Sequence, residues 1–346
     1  MSQPIRIAVI GASGYTGADL VRLALRHPDI EIAALTANSH AGKPMGSVYP
    51  HLAAHNLPDL VENAEVDWDT IDVAFCGLPH ATSAAVIQGL PTSVKVIDMS
   101  ADFRLRDLAT YTEWYGEHSA PGLLPDAVYG LSEHYRDAIS AARLVACPGC
   151  YPTAALMALI PLLSGGQVQA NDLIIDAKSG LTGAGRSLKQ NTLGAEAGEG
   201  LSPYAVGTHR HAPEIEQELS VAANTDVTVN FTPHLIPMSR GELVTCYAKL
   251  ADGVTPAMCE SALRTRYESE PFVALAPEGV LPQTQYVRGS NRVMLAVRPD
   301  RIPGRVIVIA ALDNLVKGSA GQALQNFNLM CGLPETTGLE QVAMFP

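Results

Sequence analysis

Cys147 and Cys150, in the stretch ACPGCYPTA, are the side chains of this 346-residue sequence best suited to covalent chemistry. A Cys-x-x-Cys frame admits four readings: half a metal site, a redox pair, buried packing, or a nucleophile. A zinc site takes about four ligands, commonly from two such pairs, and no second pair is present. A thioredoxin-type pair opens the helix of a small domain, whereas this one lies mid-chain. Cys147 ends the strand-like run ARLVA and suits a packing thiol. Cys150 is different, because Pro148-Gly149 precedes it and YPTAALMALI continues as a helix. At a helix N-terminus, unpaired N–H groups and the dipole stabilise a thiolate. Acting beside a nicotinamide, such a thiolate would attack an acyl phosphate and form a thioester, which hydride converts through a thiohemiacetal to an aldehyde.

That chemistry needs a proton shuttle and an anion site. Of ten histidines, His209 and His211 in GTHRHAPEI stand two apart, and on a strand both would face one way. Arg104, Arg186 and Arg240 are candidates for binding a substrate carboxylate or phosphate bidentately. Arg104 is favoured because DMSADFR follows a strand expected to end near a cofactor crevice.

The hydride source is read from the first elements. IRIAVI is a β-branched strand, GASGYTG a turn and ADLVRLALRHP a helix. Gly11, Gly14 and Gly17, with Ser13, Tyr15 and Thr16 between them, form a turn whose N–H groups can approach a pyrophosphate. The second strand ends in LTANSHAGK without an acid, while Glu31 lies at that strand's start. Thr36, Asn38, Ser39 and Lys43 are donors suited to a 2′-phosphate, so NADP(H) is the expected cofactor.

Alternating strands and helices continue to about residue 149, and longer strands of mixed or antiparallel character follow. The expected fold is α/β, an N-terminal Rossmann-type doubly wound parallel sheet plus a second α+β domain. Residues 1–149, joined by a C-terminal helix in 318–346, form the NADP-binding domain. Residues 150–317 form the catalytic and dimerisation domain. A net charge of −12 argues against nucleic acid or an anionic membrane as partner. No run reaches the roughly 18 apolar residues of a membrane helix. With no signal-peptide pattern and six scattered cysteines, a cytoplasmic protein with neither metal nor disulfide framework is expected.

The strings GASGYTGADLVRLALRHP, DMSADFRL, ACPGCYPTA, KSGLTGAGR, GTHRHAPEIEQ, FTPHLIPMSRGEL and DNLVKGSAGQALQNFN come in the order found in the N-acetyl-γ-glutamyl-phosphate reductases. The sequence resembles that family over nearly its whole length, within a group shared with aspartate-semialdehyde dehydrogenase. The resemblance implies an NADPH-dependent reduction in arginine biosynthesis, releasing phosphate through a thioester on Cys150. It carries the general acid/base role onto His211, with His209 beside it and Glu214 orienting one of them. Ser179 and Gly180 follow the strand LIIDA and would line the active-site floor or the cofactor's phosphate face. Asn314 and Gly318 match the family's segment near the nicotinamide, and a homodimer or homotetramer is implied. A related lysine-pathway reductase acting on a carrier-bound aminoadipyl group is the nearest rival, and a non-catalytic NADP sensor is a second.

Overall fold

The computed structural model describes residues 3–346. The chain forms two compact units, Met1–Pro148 with Ser319–Glu340, and Gly149–Gly318 with Gln341–Pro346.

The first unit holds strands β1 (Ile5–Ile10), β2 (Ile30–Thr36), β3 (Leu60–Val61), β4 (Val73–Cys76), β5 (Lys95–Asp98), β6 (Ala127–Tyr129) and β7 (Leu144–Ala146). Their order is β3-β2-β1-β4-β5-β7-β6, every pairing parallel. Both faces are covered, which explains the uninterrupted apolar runs. Ala8 and Ile10 pack on one side with Ala84, Ile87 and Phe103. The ring of Phe75 meets Phe327, of the helix Gly321–Met330, with centroids 5.7 Å apart. That helix is wholly buried, and its polar side chains have partners. Asn326 donates from Nδ2 to Gly130 O at 2.9 Å and accepts at Oδ1 from Ser132 Oγ at 2.6 Å. His27 Nε2 lies 2.9 Å from Asn328 Oδ1. The strand order reverses between β1 and β4, which puts the ligand crevice of a doubly wound sheet at their C-terminal ends.

The second unit holds β8 (Leu173–Gly180), β9 (Ser202–Pro203), β10 (Val229–Ile236), β11 (Glu242–Lys249), β12 (Val273–Leu275), β13 (Val293–Pro299) and β14 (Arg305–Leu312). The order is β12-β13-β14-β11-β8-β10-β9, a mixed sheet in which only β8–β10 and β12–β13 run parallel. Here the strands alternate, as a sheet covered on one face requires. On β11, Glu242, Val244, Cys246 and Ala248 are buried, while the residues between them are half-buried. The covering layer is built on the helix Cys150–Ser164, whose residues Tyr151–Leu163 are all buried. A helix apolar all round belongs at the centre of a domain. It packs on β11 and β14 and is flanked by the helices Ala212–Ala223 and Pro256–Tyr267. The opposite face presents a contiguous half-buried apolar patch that includes Ile174, Leu243, Tyr247, Ile307 and Ile309.

One glycine shows how tightly the first turn is built. A Cβ at Gly17 would lie 2.5 Å from Gly11 O and 2.7 Å from Ala12 Cα, both backbone atoms that cannot give way. Gly17→Ala is therefore expected to destabilise the first unit by about 1–3 kcal/mol through overpacking. Both tryptophans, Trp68 and Trp114, lie in that unit, so a lowered urea midpoint in tryptophan fluorescence checks the expectation.

Candidate active site

Gly149 is the N-cap of the helix Cys150–Ser164, and Cys150 is its first residue. Pro152 occupies the first turn, where a missing N–H costs nothing. The Cys150 side chain is half-buried. A charge at this position gains roughly 0.3–1 kcal/mol from the helix terminus, and up to about 2 when partly buried. Gly318, in the π-helical turn Val316–Ala320, makes the space. A Cβ there would lie 2.7 Å from Cys150 Cβ and 3.2 Å from Leu312 Cδ1.

A second helix N-terminus converges on the same spot. His211 caps the helix Ala212–Ala223, Pro213 follows in its first turn, and Glu214 is an acid in that turn. The buried Glu214 carboxylate accepts a hydrogen bond from Gly149 N at 2.8 Å. The His211 ring lies against Gly149, where a Cβ would come within 2.4 Å of its Nε2. His209 and His211 do not lie on a strand, as their alternation suggested. They lie in a turn entering the helix, yet their rings meet at 4.7 Å. His209 Nδ1 accepts from His211 N at 3.1 Å, so any proton on a neutral His209 ring is on Nε2. Tyr151, Tyr204 and Phe231 complete an aromatic box around His209. Tyr204 Oη donates to Tyr151 Oη at 3.3 Å. Burial drives both phenols well above the ordinary range, so they stay protonated.

Sequence reasoning missed the aromatic residues of this cluster and one acid, Glu242. It is fully buried at the start of β11. Among the described residues, neither carboxylate oxygen has a hydrogen-bond partner of normal geometry. Burial pushes the carboxyl up to about 8, and the adjacent Cys150 thiol offsets this only in part. A signal was available, since an acid in the inward phase of an alternating strand stands out against Val244, Cys246 and Ala248.

In the first unit, the glycine turn fits a dinucleotide. Gly11 has φ +82°, and a Cβ there would lie 2.5 Å from Gly77 O. Gly14 is the N-cap of the helix Tyr15–Ala24, and a Cβ there would touch only Gly11 O at an ordinary 3.5 Å. Protein packing does not demand glycine at 14, whereas close approach by a pyrophosphate does. Ser13 O accepts from Tyr49 Oη at 3.0 Å, and the N–H groups of Tyr15, Thr16 and Gly17 are those of the helix's first turn. Thr36 is buried, and its carbonyl accepts from Gly11 N and Ala12 N at 3.1 and 2.9 Å. Asn38, Ser39 and Lys43 are exposed beyond the tip of β2. Glu31 pairs with Arg6 at the strand's other end.

The remaining expected residues are divided between the units. Arg104, in the first, donates from Nε to Cys147 O at 2.8 Å and from Nη2 to Met99 O at 3.1 Å. It thus clamps the chain three residues before Cys150. Cys147 is buried, with Asn326 Nδ2 3.5 Å from its sulfur. Arg240 pairs with the buried Asp313 at 3.5 Å, and Arg186 is exposed. Ser179 is buried. Gly180 is wedged on Met238 O and Ser239 O, which a Cβ would approach to 2.9 and 2.8 Å. Asn314 accepts from Gly241 N at 2.8 Å and donates to Thr182 Oγ1 at 2.9 Å, so it fixes two loops.

Gly14→Ala is expected to leave urea stability within about 1 kcal/mol, the scale of an N-cap change. The same change should weaken dinucleotide binding about tenfold or more, in contrast to Gly17→Ala. Glu242 makes stability depend on pH. Its folded pKa of about 8 exceeds the ordinary 4.5, so the folded state holds a proton that the unfolded chain loses. The associated stability is full below the ordinary value and is lost as pH rises through the folded one. Melting temperatures from pH 5 to 9 should therefore fall more steeply for the wild type than for Glu242→Gln.

The comparisons with known proteins follow the same division of the chain. Residues 6–142 match the semialdehyde dehydrogenase NAD binding domain, and residues 150–314 match the semialdehyde dehydrogenase dimerisation domain. The N-acetyl-gamma-glutamyl-phosphate reductase of Rhodospirillum rubrum is 52% identical, with all of both chains covered. The probable chloroplastic enzyme of that name from Arabidopsis thaliana is 53% identical over 99% of this chain and 86% of its own. Among solved structures, aspartate semialdehyde dehydrogenase II of Vibrio cholerae matches with a TM-score of 0.72 at 18% identity, covering 96% of this chain and 99% of that one. The Candida albicans aspartate semialdehyde dehydrogenase with NADP matches at 0.65 and 16% identity, covering 95% and 99%. These two show the shared fold. With identity above one half across the full length and both domains matched, the chain belongs to the N-acetyl-γ-glutamyl-phosphate reductases, a family of oxidoreductases among the semialdehyde dehydrogenases.

Proposed function

We propose that this chain reduces N-acetyl-γ-glutamyl phosphate to N-acetylglutamate 5-semialdehyde and phosphate, a step of arginine biosynthesis, using NADPH. The observation that carries the reading is Cys150 at a helix N-terminus, with the His211 ring against its N-cap. The relatives' names supply the substrate.

The Cys150 thiolate attacks the acyl carbon. A carbon–sulfur bond forms, the bond to the phosphate oxygen breaks, and phosphate leaves with the electron pair. NADPH, when bound, supplies the hydride that reduces the thioester carbon. His211 donates a proton to the oxygen of the resulting thiohemiacetal and removes it again as the carbon–sulfur bond breaks, releasing aldehyde and thiolate. Glu214 ties the two helix N-termini together and so holds the His211 ring against Gly149, the residue before Cys150. Arg104 keeps the approach to Cys150 fixed through Cys147 O, and Arg186 and Arg240 are the candidates for the substrate's anionic groups.

The choice of NADP over NAD rests on exposed Asn38, Ser39 and Lys43 beyond β2 and on the absence of an acid there. The first unit acts as the dinucleotide domain, and the second carries the nucleophile and the dimer contact. The half-buried apolar face of its sheet suits pairing with a second copy, in line with the matched dimerisation domain. A dithiol function for Cys147 and Cys150 has less support, because Cys147 is buried and held by Asn326.

In the reverse direction, wild-type protein given N-acetylglutamate semialdehyde should reduce NADP only when phosphate is present, with NAD about tenfold or more poorer in kcat/KM. Cys150→Ala should abolish the reaction while still binding NADP. Turnover that is independent of phosphate, or that survives in the variant, would overturn the reading.

A further inference from the structure

Glu242 is an acid of the cluster that the mechanism above does not use. Its carboxyl is buried beside Cys150, and among the described residues neither oxygen has a donor of normal geometry. Its register partners are Ser179 on β8 and Leu312 on β14, neither of them charged. Leu312 Cδ1 and Cys150 Cβ both crowd the empty Cβ position of Gly318, which places the start of β11 against the first turn of the Cys150 helix. A carboxylate stripped of water and of donors is costly to bury. A thiolate on the first residue of a helix is stabilised by the terminal N–H groups. Two acidic groups so close cannot both ionise readily, so one proton is shared between them. The contrast between their surroundings decides where it rests.

We propose that Glu242 is the proton partner of Cys150, holding the thiol's proton while the sulfur is a thiolate. This deepens the reading of Cys150 as the nucleophile and rests on it. The proton passes from Sγ to a Glu242 oxygen, and the sulfur lone pair then forms the bond to the acyl carbon as phosphate leaves. During the thioester stage the proton stays on Glu242, because the acylated sulfur cannot take it. When the thiohemiacetal collapses, sulfur recovers the electron pair of the carbon–sulfur bond. The neutral carboxylic acid then donates a hydrogen bond to it, which favours its departure. The cycle takes up one proton, which ends on the departing phosphate; the thiol's proton stays within the Cys150–Glu242 pair, and His211 takes back the one that it gives.

Of the other groups around the pair, the His211 ring lies against Gly149 and handles the proton of the carbonyl oxygen. Tyr151 and Tyr204 interact electrostatically with both members and remain protonated. Cys246, on the same strand face, is pushed up to about 12 by burial. Arg240 is paired with Asp313, and Lys317 lies over the Phe272 ring at 5.8 Å.

The test is the pH dependence of iodoacetamide alkylation at Cys150, followed on the peptide that carries it, for the wild type, Glu242→Gln and Glu242→Leu. Glutamine is neutral and can donate to sulfur as the protonated acid does, so the midpoint should move by less than about 0.3 unit. Leucine cannot donate, and the midpoint should rise by about one unit, a tenfold change in thiolate fraction. A fall of about one unit in the glutamine variant would show an ionised carboxylate repelling the sulfur, and would overturn the proposal. Midpoints unmoved in both variants would reduce Glu242 to a packing role and overturn it as well. Infrared spectra of the wild type at pH 7 provide a readout that does not depend on a variant folding well. A carbonyl band of a protonated carboxylic acid that disappears as pH rises is expected, and absence of that band would also refute the proposal. Should Cys150→Ala retain reductase turnover, the functional reading fails by itself, while the alkylation result still reports on the pair.

Discussion

The hydrogen bond from Gly149 N to the Glu214 carboxylate holds this site together. It joins the N-termini of two helices, Cys150–Ser164 and Ala212–Ala223, through one buried acid. A carboxylate is favoured at a helix N-terminus, and here it serves two at once. With that bond made, the Cys150 thiol at the start of one helix and the imidazole at the start of the other are fixed relative to each other. The absence of a side chain at Gly149 matters as much, because the His211 ring occupies the space a Cβ would take. A buried N–H left without its acceptor costs about 1–3 kcal/mol. The geometry of the cluster is thus tied to the stability of the second unit.

The two sheets support their sites differently. The first is covered on both faces, so its strands are short and continuously apolar, and ligand chemistry is confined to the turns at their C-terminal ends. The second is covered on one face, so its strands are longer and alternate. Glu242 sits in the inward phase of that alternation, at the strand end under the Cys150 helix, where an apolar residue would serve packing better. A rule broken locally at such a point, with nothing in the core to compensate, is characteristic of functional positions.

Much of this was legible in the sequence for identifiable reasons. The glycine turn could be read because Gly11 and Gly17 obey backbone constraints that no other residue meets there. Cys150 could be read because Pro148-Gly149 followed by an apolar run defines a helix start. The convergence of His209 and His211 was anticipated through the wrong element, since a two-residue spacing serves a strand and a turn equally. Arg104 was expected to face an anion. Its bonds to Cys147 O and Met99 O depend on how a loop folds back, which no local pattern encodes. Asn314 and Gly318 were expected at the cofactor. Their loop-tying and space-making contacts, with Gly241, Thr182 and Cys150, join segments more than 70 residues apart. Glu242 drew no reading from the sequence, although its phase in the strand marked it.

The central claim is a covalent acyl group on Cys150, and it is most directly tested by mass spectrometry of acid-quenched protein. Wild-type protein would be incubated with N-acetyl-γ-glutamyl phosphate without reducing nucleotide, then digested at low pH. The account predicts a hydroxylamine-labile N-acetylglutamyl adduct on the peptide containing Cys150, released when NADPH is added before the quench. Phosphate release with no adduct, or an adduct on Cys147 or another side chain, would contradict it.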